Sequence, residues 1–197
     1  MLLDKLKNYN VVLASNSPRR KELLADLGID FVVRVKKDID ESYPHSLPAM
    51  EIAEHISRKK AIAYKQDMAP GEIVITADTV VILGNEVLGK PANDADALRM
   101  LGMLSGKTHK VVTGVTITTA GDMRSFSVVT NVEFATLSDE DIAYYVQRYR
   151  PLDKAGAYGI QEWIGCMGVR HIDGSFYNVM GLPLHRLYTE LDKLIVD

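Results

Sequence analysis

The chain has 197 residues, a length that allows one domain or one domain drawn out into two lobes. Its formal net charge is −3, from 23 Lys and Arg against 26 Asp and Glu, so no bulk positive field attracts nucleic acid or a membrane surface. Cys166 is the only cysteine, which excludes an internal disulfide framework and favours a reducing, cytoplasmic location. No apolar run approaches the ~18 residues of a membrane-spanning helix.

The first half of the chain alternates predicted strands and helices. Asn10–Ala14 is a short apolar run typical of a buried strand, and Ser15–Pro18 is a turn that leads into a helix ending near Gly28. The elements predicted next are a strand over 31–35, a polar loop over 36–43, a long helix from Pro48, a strand over 73–83 and a helix that Asn93 caps and that runs to Leu104.

The second half begins with a predicted β-hairpin, whose strands over 111–119 and 125–136 flank Gly121-Asp122. Ser138 is the expected N-cap of the next helix. The tail predicts short strands near Ile160, Val169 and Tyr177 and a closing helix over Pro183–Ile195. Because the hairpin argues against a purely parallel sheet, we expect a mixed α/β sheet with helices packed on it.

One segment resembles a nucleotide-binding motif but lacks its Mg²⁺-binding residue. Gly84 to Pro91 nearly spells a P-loop, yet Pro91 replaces the Ser or Thr whose hydroxyl binds Mg²⁺. We therefore exclude a P-loop ATPase or kinase, although Lys90 can still meet a phosphate as a point charge. Cys166 is interpreted as a small buried residue. The histidines lack zinc-ligand spacing and are interpreted as surface or capping residues: His45, His55, His109, His171 and His185.

The turn Ser15-Asn-Ser-Pro-Arg19-Arg20 lies between a predicted strand and a predicted helix. Hydroxyls, free N–H groups and a helix N-terminus are groups with which proteins bind anions, and two guanidinium groups suit phosphate oxygens. The alternative is an ordinary capped helix with a solvated basic first turn. Cations at a helix N-terminus interact unfavourably with the helix dipole. Their presence here therefore favours a bound anion.

Two further features are charged: a carboxylate within a predicted strand, and an acidic loop followed by a basic run on the next helix. Asp78 interrupts an otherwise mostly apolar strand, where a carboxylate is costly unless it is paired or binds a metal. The functional interpretation is a general base or a Mg²⁺ ligand; the alternative is a solvated residue at a strand end or bulge. The acidic loop Asp38-Ile-Asp40-Glu41 and the basic run Arg58-Lys-Lys60 suit a metal-bound polyphosphate, and the alternative for each is a solvated surface run.

Together these segments resemble the Maf family of nucleoside triphosphate pyrophosphatases, over most of the chain. The matching blocks, in the family's order, are Leu13–Leu24, Arg58–Ala61, Ala77–Val80, Gly89–Pro91, Leu104–His109, Pro151–Gln161 and Gly181–Pro183. Within the family, Ile160-Gln161 after the Ala-Gly-Ala-Tyr run resembles the branch that acts on dTTP and UTP.

The resemblance implies cleavage between the α- and β-phosphates of a nucleoside triphosphate, which yields the monophosphate and pyrophosphate. It implies one domain over residues 1–197 with the elongated fold of the Maf and inosine triphosphatase-like proteins, in which a mixed sheet with flanking helices forms two lobes around a deep cleft. The substrates are expected to be dTTP and UTP, with modified pyrimidine triphosphates as an open alternative.

The resemblance also implies roles for individual residues. Asp78 matches the family's proton acceptor, and Arg19, Thr79 and Gln161 match its specificity positions. Its phosphate- and metal-binding positions correspond to Ser15, Ser17, Arg20, Glu41, Lys60 and Lys90. Glu41 and Asp78 are the expected metal ligands, with Asp38 and Asp40 as alternatives to Glu41, and an oxygen-rich site favours Mg²⁺ or Mn²⁺.

The chemistry of the residues agrees with these roles. The Gln161 amide offers an acceptor and donors, so it can match the N3–H and adjacent carbonyl of uracil or thymine. Cytosine or a purine would leave a group unpaired. The alternative function is a nucleotide-binding regulator of cell division with little turnover. A nucleic-acid-binding module is disfavoured by the net charge, no membrane partner is expected, and a homodimer is compatible with the family.

Overall fold

The structure is a computed structural model that describes residues 1–195, so the last two positions of the predicted domain lie outside it. Within that range seven strands form one sheet. The strands are β1 (Asn10–Leu13), β2 (Val32–Val33), β3 (Glu72–Leu83), β4 (Glu86–Leu88), β5 (Thr108–Thr118), β6 (Met123–Phe134) and β7 (Val169–Asp173). Their order is β2-β1-β3-β5-β6-β7, and β4 pairs with β3.

Helices alternate with the strands along the chain. The α-helices are α1 (Leu2–Leu6), α2 (Pro18–Asp26), α3 (Ile52–Lys65), α4 (Asp94–Leu104), α5 (Asp139–Tyr149), α6 (Trp163–Gly168), α7 (Phe176–Met180) and α8 (Leu184–Leu194), and Ala49–Glu51 and Ala155–Ala157 form 3₁₀ turns. None of the helices in the part of the chain that the structure describes combines the length and apolar character that crossing a membrane requires.

The sheet is mixed, as the sequence predicts. Strand β1 pairs in parallel with β2 and with β3, whereas β4 pairs antiparallel with β3 and β7 antiparallel with β6. The register partners Val12 and Val74 are both fully buried, and they pack with Tyr64 in one apolar cluster. Tyr64 belongs to α3, so this cluster fixes α3 against the parallel strands.

The chain divides into two compact units. The first comprises Met1–Asp78, Thr113–Val128 and the tail from Gly181, and the second comprises Thr79–Val112 and Val129–Met180. Strands β3, β5 and β6 each continue from one unit into the other. The deep cleft between two lobes stays a prediction of the family resemblance.

Two predicted strands are wrong. Ile160 lies in a turn that a hydrogen bond from Glu162 N to Gly159 O closes at 3.0 Å, and Tyr177 lies in α7. Their apolar runs are too short to distinguish a strand from a buried turn or a helix. The sequence does not by itself predict the short elements α1, α6 and β4, which are stabilised by contacts outside their own sequence.

Two single residues lie elsewhere than predicted. His109 is 1% exposed, so its interpretation as a surface or capping residue is wrong. Its Nε2 is 2.8 Å from the hydroxyl of Tyr158, and its ring packs edge-on against Phe134 and Tyr158. Cys166 is exposed, so its predicted burial is wrong, because α6 buries Ile164 and Gly168 and turns Cys166 toward solvent.

Candidate active site

The turn that begins at Ser15 lies at the carboxyl end of β1, where α2 begins. Ser17 is the N-cap of α2 and its Oγ accepts a hydrogen bond from Arg20 N at 3.4 Å. Pro18 occupies the first helical position, where its missing N–H costs nothing. Ser17 N in turn donates to Oγ of the buried Ser15 at 3.2 Å. Both predicted serines therefore hold the turn in a defined shape.

Arg20 is anchored in the first unit by backbone carbonyls. Its Nε donates to Gly181 O at 2.8 Å and its Nη1 donates to Ala77 O at 2.9 Å. Ala77 O can accept this bond because the pairing of β1 with β3 ends at Leu13 and Ile75. The guanidinium is therefore both a support for the site and a fixed positive charge within it.

The electrostatic surroundings of Arg20 include the candidate carboxylates. Burial lowers the pKa of Arg20, whereas the negative charges of Asp78 and Glu41 act to raise it and the positive charge of Arg19 acts to lower it. An arginine side chain is not deprotonated in proteins, so Arg20 stays charged. Arg20 therefore brings a permanent cation to the carboxylates of this unit.

Asp78 and Lys60 face each other because a buried hydroxyl fixes α3 against β3. Thr76 Oγ1 donates to Ser57 O at 2.7 Å. Asp78 lies two residues beyond Thr76 on the same face of the strand, and Lys60 lies three residues beyond Ser57 on the same side of the helix. Lys60 Nζ consequently donates to Asp78 Oδ1 at 2.9 Å. Because β3 runs on through Asp78, the strand-end alternative is wrong.

Lys60 also contacts the acidic loop. Its Nζ is 3.1 Å from Glu41 Oε1, so one ammonium group joins Glu41 and Asp78. The side chains of Lys60 and Asp78 are 14% and 16% exposed, against 55% for Glu41. Asp78 and Lys60 thus lie in the inner part of the site, and Glu41 approaches from its solvent side.

The neighbouring lysine distinguishes between the acids of this loop. Lys59 Nζ donates to Asp40 Oδ2 at 2.7 Å and to Ser42 O at 2.8 Å. The hydrogen bonds from Lys59 and Ser42 hold the pKa of Asp40 well below its usual range. Asp40 is therefore occupied in fastening the loop to α3, which leaves Glu41 as the acid that reaches Lys60. Lys59 is not among the predicted site residues, although its position beside Lys60 and opposite an acidic run indicates such a contact.

The two carboxylates that meet at Lys60 fit a divalent cation in their chemistry. Carboxylate oxygens are preferred ligands of Mg²⁺ and Mn²⁺, and Asp78 and Glu41 converge on one point. Across residues 1–195 no group of three or more His, Cys, Asp or Glu side chains could hold a metal. Mg²⁺ commonly takes only one or two carboxylates from a protein and completes its ligands with substrate phosphates and water.

Three of the predicted site residues belong to the second unit. Thr79 is half-buried on β3, next to Asp78 in sequence, whereas Lys90 and Gln161 are exposed. Gly156 N donates to Gly89 O at 3.0 Å, so the loop that carries Lys90 lies beside the segment that leads to Gln161. Arg19, in the first unit, is half-buried. The roles of these residues toward a substrate stay predictions.

Comparisons with known proteins agree with the family resemblance found in the sequence. The family model described as Maf-like protein matches residues 10–194. A dTTP/UTP pyrophosphatase of Phocaeicola vulgatus is 59% identical over 98% of this chain and 100% of its own, and one of Flavobacterium johnsoniae is 46% identical over 99% and 100%. The solved Ham1 protein of Staphylococcus aureus is 16% identical, covers 94% of this chain and 99% of its own with a TM-score of 0.53, and shares the fold. The predicted family and mixed α/β fold are confirmed, and the chain belongs to the Maf-like protein family.

Proposed function

We propose that this protein is a nucleoside triphosphate pyrophosphatase that hydrolyses dTTP and UTP to the nucleoside monophosphate and pyrophosphate. The observation that carries the proposal is the convergence of Asp78, Glu41 and Lys60 in the unit that also holds the Arg20 turn. Carboxylates and cations at one point suit a metal-bound polyphosphate. Relatives that are 46% and 59% identical over nearly the whole chain bear the name dTTP/UTP pyrophosphatase.

Asp78 is the proposed general base. Its carboxylate accepts a proton from the attacking water while the water oxygen forms a bond to the α-phosphorus. The bond between that phosphorus and the bridging oxygen breaks, and pyrophosphate leaves with the electron pair. The hydrogen bond from Lys60 holds the carboxylate in one orientation, which is the positioning that general base catalysis requires.

The basic residues neutralise the charge of the triphosphate. Phosphoryl transfer depends more on substrate positioning and electrostatic stabilisation than on covalent catalysis. We propose that Arg19, Arg20, Lys60 and Lys90 share the phosphate oxygens, with the hydroxyls of Ser15 and Ser17 and the start of α2 as further donors. The anchoring of Arg20 to Gly181 O and Ala77 O means that its charge needs no reorganisation when the substrate binds.

Glu41 and Asp78 are the residues that would hold Mg²⁺ or Mn²⁺. A bound divalent cation supplies charge neutralisation at the phosphate oxygens. Lys60 bonds to both carboxylates and therefore competes with a cation for them. A phosphate offers Lys60 another anionic partner, so we expect nucleotide and metal to bind more tightly together than either does alone.

Gln161 and Thr79 are the proposed determinants of the base. Gln161 is exposed on a turn of the second unit, and its amide can pair with the donor and acceptor edge that uracil and thymine share. A site built for that edge discriminates against cytosine because a polar group would remain unpaired. We also propose a cytoplasmic location, which agrees with the single cysteine, while the homodimer and the single domain over residues 1–197 stay predictions.

A panel of triphosphates with Mg²⁺ or Mn²⁺, scored for products, tests the proposal. We expect the monophosphate and pyrophosphate from dTTP and UTP, with slower turnover of dCTP and purine triphosphates. Release of the diphosphate and inorganic phosphate would contradict the proposed bond cleavage. Nucleotide binding without turnover at saturating metal would support the regulatory alternative instead.

A further inference from the structure

The segment that carries Gln161 is fastened by an ion pair within the second unit. Lys154 Nζ is 3.0 Å from Glu162 Oε1 and donates to Asp153 Oδ1 at 2.9 Å. The Lys154 side chain is 10% exposed, and that of Glu162 is 25% exposed. An ammonium so withdrawn from water requires its carboxylate partner. The pair therefore holds the two ends of the segment 154–162 together.

A tyrosine of α5 completes the fastening. Tyr145 Oη donates to Glu162 Oε2 and accepts a hydrogen bond from Gly159 N at 3.0 Å. Burial and the hydrogen bond to Glu162 raise the pKa of Tyr145, so the phenol keeps its proton and remains a donor at neutral pH. The Glu162 carboxylate is thus bonded at both oxygens, to Lys154 on one side and to Tyr145 on the other.

The Glu162 side chain lies directly against the backbone of the turn. A Cβ on Gly159 would lie 2.8 Å from Glu162 Cδ and 3.0 Å from Lys154 Cε, so a side chain at this position would displace the ends of both partners. Glu162 N donates to Gly159 O at 3.0 Å, which closes the turn around Gln161. Residues 156–160 are buried and Gln161 is exposed. The turn therefore presents Gln161 outward from a backbone that is held on both sides.

We propose that Glu162, held by Lys154 and Tyr145, is a positioning residue that sets the pyrimidine selectivity of the enzyme through the placement of Gln161. The inference rests on the proposed function, in which Gln161 reads the base. An amide discriminates between uracil and cytosine only if its oxygen and nitrogen stay in a fixed orientation, because a rotated amide offers each base an acceptable pattern. Loosening the turn removes that orientation while it leaves Asp78, Glu41 and Lys60 in place.

The test compares kcat/KM for dTTP and dCTP in four variants. Gln161→Ala lacks the proposed base-reading amide, so its ratio of kcat/KM for dTTP to that for dCTP is the value expected without selectivity from Gln161. In Glu162→Gln the side chain keeps its size but loses its charge, so that Asp153 alone remains as the carboxylate partner of Lys154. In Tyr145→Phe the side chain keeps its ring but loses both hydrogen bonds. We expect each to lower the dTTP-to-dCTP ratio by about tenfold, with a smaller loss of kcat for dTTP. Glu133→Gln is the matched control, since Glu133 pairs with Arg170 on the surface at 3.5 Å, and its ratio should equal that of the wild type.

Trp163 supplies a readout that does not depend on turnover. It is the only tryptophan in the chain, it follows Glu162 directly, and its ring packs edge-on against Tyr144. We expect acrylamide to quench its fluorescence more strongly in Glu162→Gln and Tyr145→Phe than in Glu133→Gln. Thermal unfolding of each variant identifies one that fails to fold, in which case the other carries the comparison.

The outcomes separate this inference from the proposed function. If folded Glu162→Gln and Tyr145→Phe both keep the wild-type ratio while they hydrolyse dTTP, the positioning role is wrong and the proposed function stands. An unchanged ratio in Gln161→Ala would likewise overturn the inference, because there would be no selectivity for Glu162 to transmit. If the wild-type enzyme releases no pyrophosphate from any triphosphate, the proposed function fails and this inference fails with it.

Discussion

Lys60 decides the chemistry of the candidate site at the scale of single residues. Two carboxylates that approach one another repel, and their approach is tolerated here because one ammonium bonds to both Asp78 and Glu41. One oxygen of each carboxylate therefore lies within hydrogen-bonding distance of the same ammonium nitrogen. Removing any one of these three groups changes the balance of charge for the other two.

Asp78→Asn tests the proposed base. The amide keeps the size of the carboxylate but cannot take up a proton, so we expect pyrophosphate release to fall by at least about a hundredfold with a nearly unchanged melting temperature. Asp122→Asn, on the exposed hairpin turn where Asp122 pairs with Arg124, is the control and should retain activity. Release of pyrophosphate by Asp78→Asn near the wild-type rate would show that another group is the base.

Asp40 and Glu41, two of the three acids of the loop 38–42, are expected to affect the metal dependence of activity differently. Glu41→Gln removes a proposed ligand, so we expect the Mg²⁺ concentration at half-maximal activity to rise by about tenfold or more. In Asp40→Asn the loop loses its bond to Lys59 but keeps Glu41, so we expect a much smaller rise. Equal titration curves for the wild type and Glu41→Gln would exclude Glu41 as a ligand.

The sequence indicates which residues are candidates for the site, but it does not indicate which acid pairs with which lysine. Asp78 was evident because a lone carboxylate in an apolar strand requires a partner. Which of Asp38, Asp40 and Glu41 meets Lys60 depends on how α3 faces the loop, and adjacent helical residues point about 100° apart. This angle identifies the partner of each lysine only when the orientation of α3 against β3 is known. The hydrogen bond from Thr76 to Ser57 O defines that orientation.

At the scale of elements, α3 lies against β5 with no space between their backbones. A Cβ on Gly114 of β5 would lie 2.3 Å from Ala53 C and from Glu54 N, so any side chain there would push α3 outward. Because α3 carries Lys59 and Lys60, this close approach supports the geometry of the candidate site. Glycine at position 114 is therefore a packing requirement of the site and not a turn signal.

A pair of glycine substitutions tests this packing. Gly114→Ala is expected to lower the free energy of unfolding by at least about 2 kcal/mol through overpacking, and to lower activity as Lys60 moves. Gly102 lies inside α4 with open space around its Cα, so Gly102→Ala should raise stability by about 1 kcal/mol because alanine has the higher helix propensity. Denaturant unfolding measures both. A stable and active Gly114→Ala would mean that α3 can shift without harm.

The elements that the sequence predicted correctly have internal signals. Helix α5 begins with a capping box between Ser138 and Asp141, and Asn93 caps α4, so both starts could be located from local chemistry. The short predicted strands at Ile160 and Tyr177 had no such signals, and their conformation depends on distant partners such as Tyr145, whose hydroxyl contacts the turn after Tyr158. Local patterns predict autonomous elements, and the remainder follows from packing.

At the scale of the whole molecule, His109 links stability to pH. Burial lowers the pKa of His109 to about 4, and its Nδ1 has no hydrogen-bond partner in the described chain. The unfolded chain protonates its histidines near pH 6.5, so between pH 6.5 and 4 the unfolded state binds the extra proton. The folded state is therefore destabilised as the pH falls through this range, by roughly 3 kcal/mol in total.

His109→Gln tests the origin of this loss. We expect the wild-type free energy of unfolding to decline from pH 6.5 to 5, where few carboxylates have begun to titrate, and the variant to show a flatter profile. The exposed His185 provides the control, and His185→Gln should keep the wild-type slope. If His109→Gln and the wild type decline in parallel, the buried imidazole is not the group responsible.

The two units are interleaved along the chain, and this limits how such an enzyme can acquire a new base preference. The second unit, which holds Thr79, Lys90 and Gln161, has junctions at 78/79, 112/113, 128/129 and 180/181. The first three fall inside β3, β5 and β6. A single genetic crossover therefore cannot transfer the second unit without also transferring part of the first. We expect selectivity among these relatives to diverge by point substitutions on a scaffold that is inherited whole.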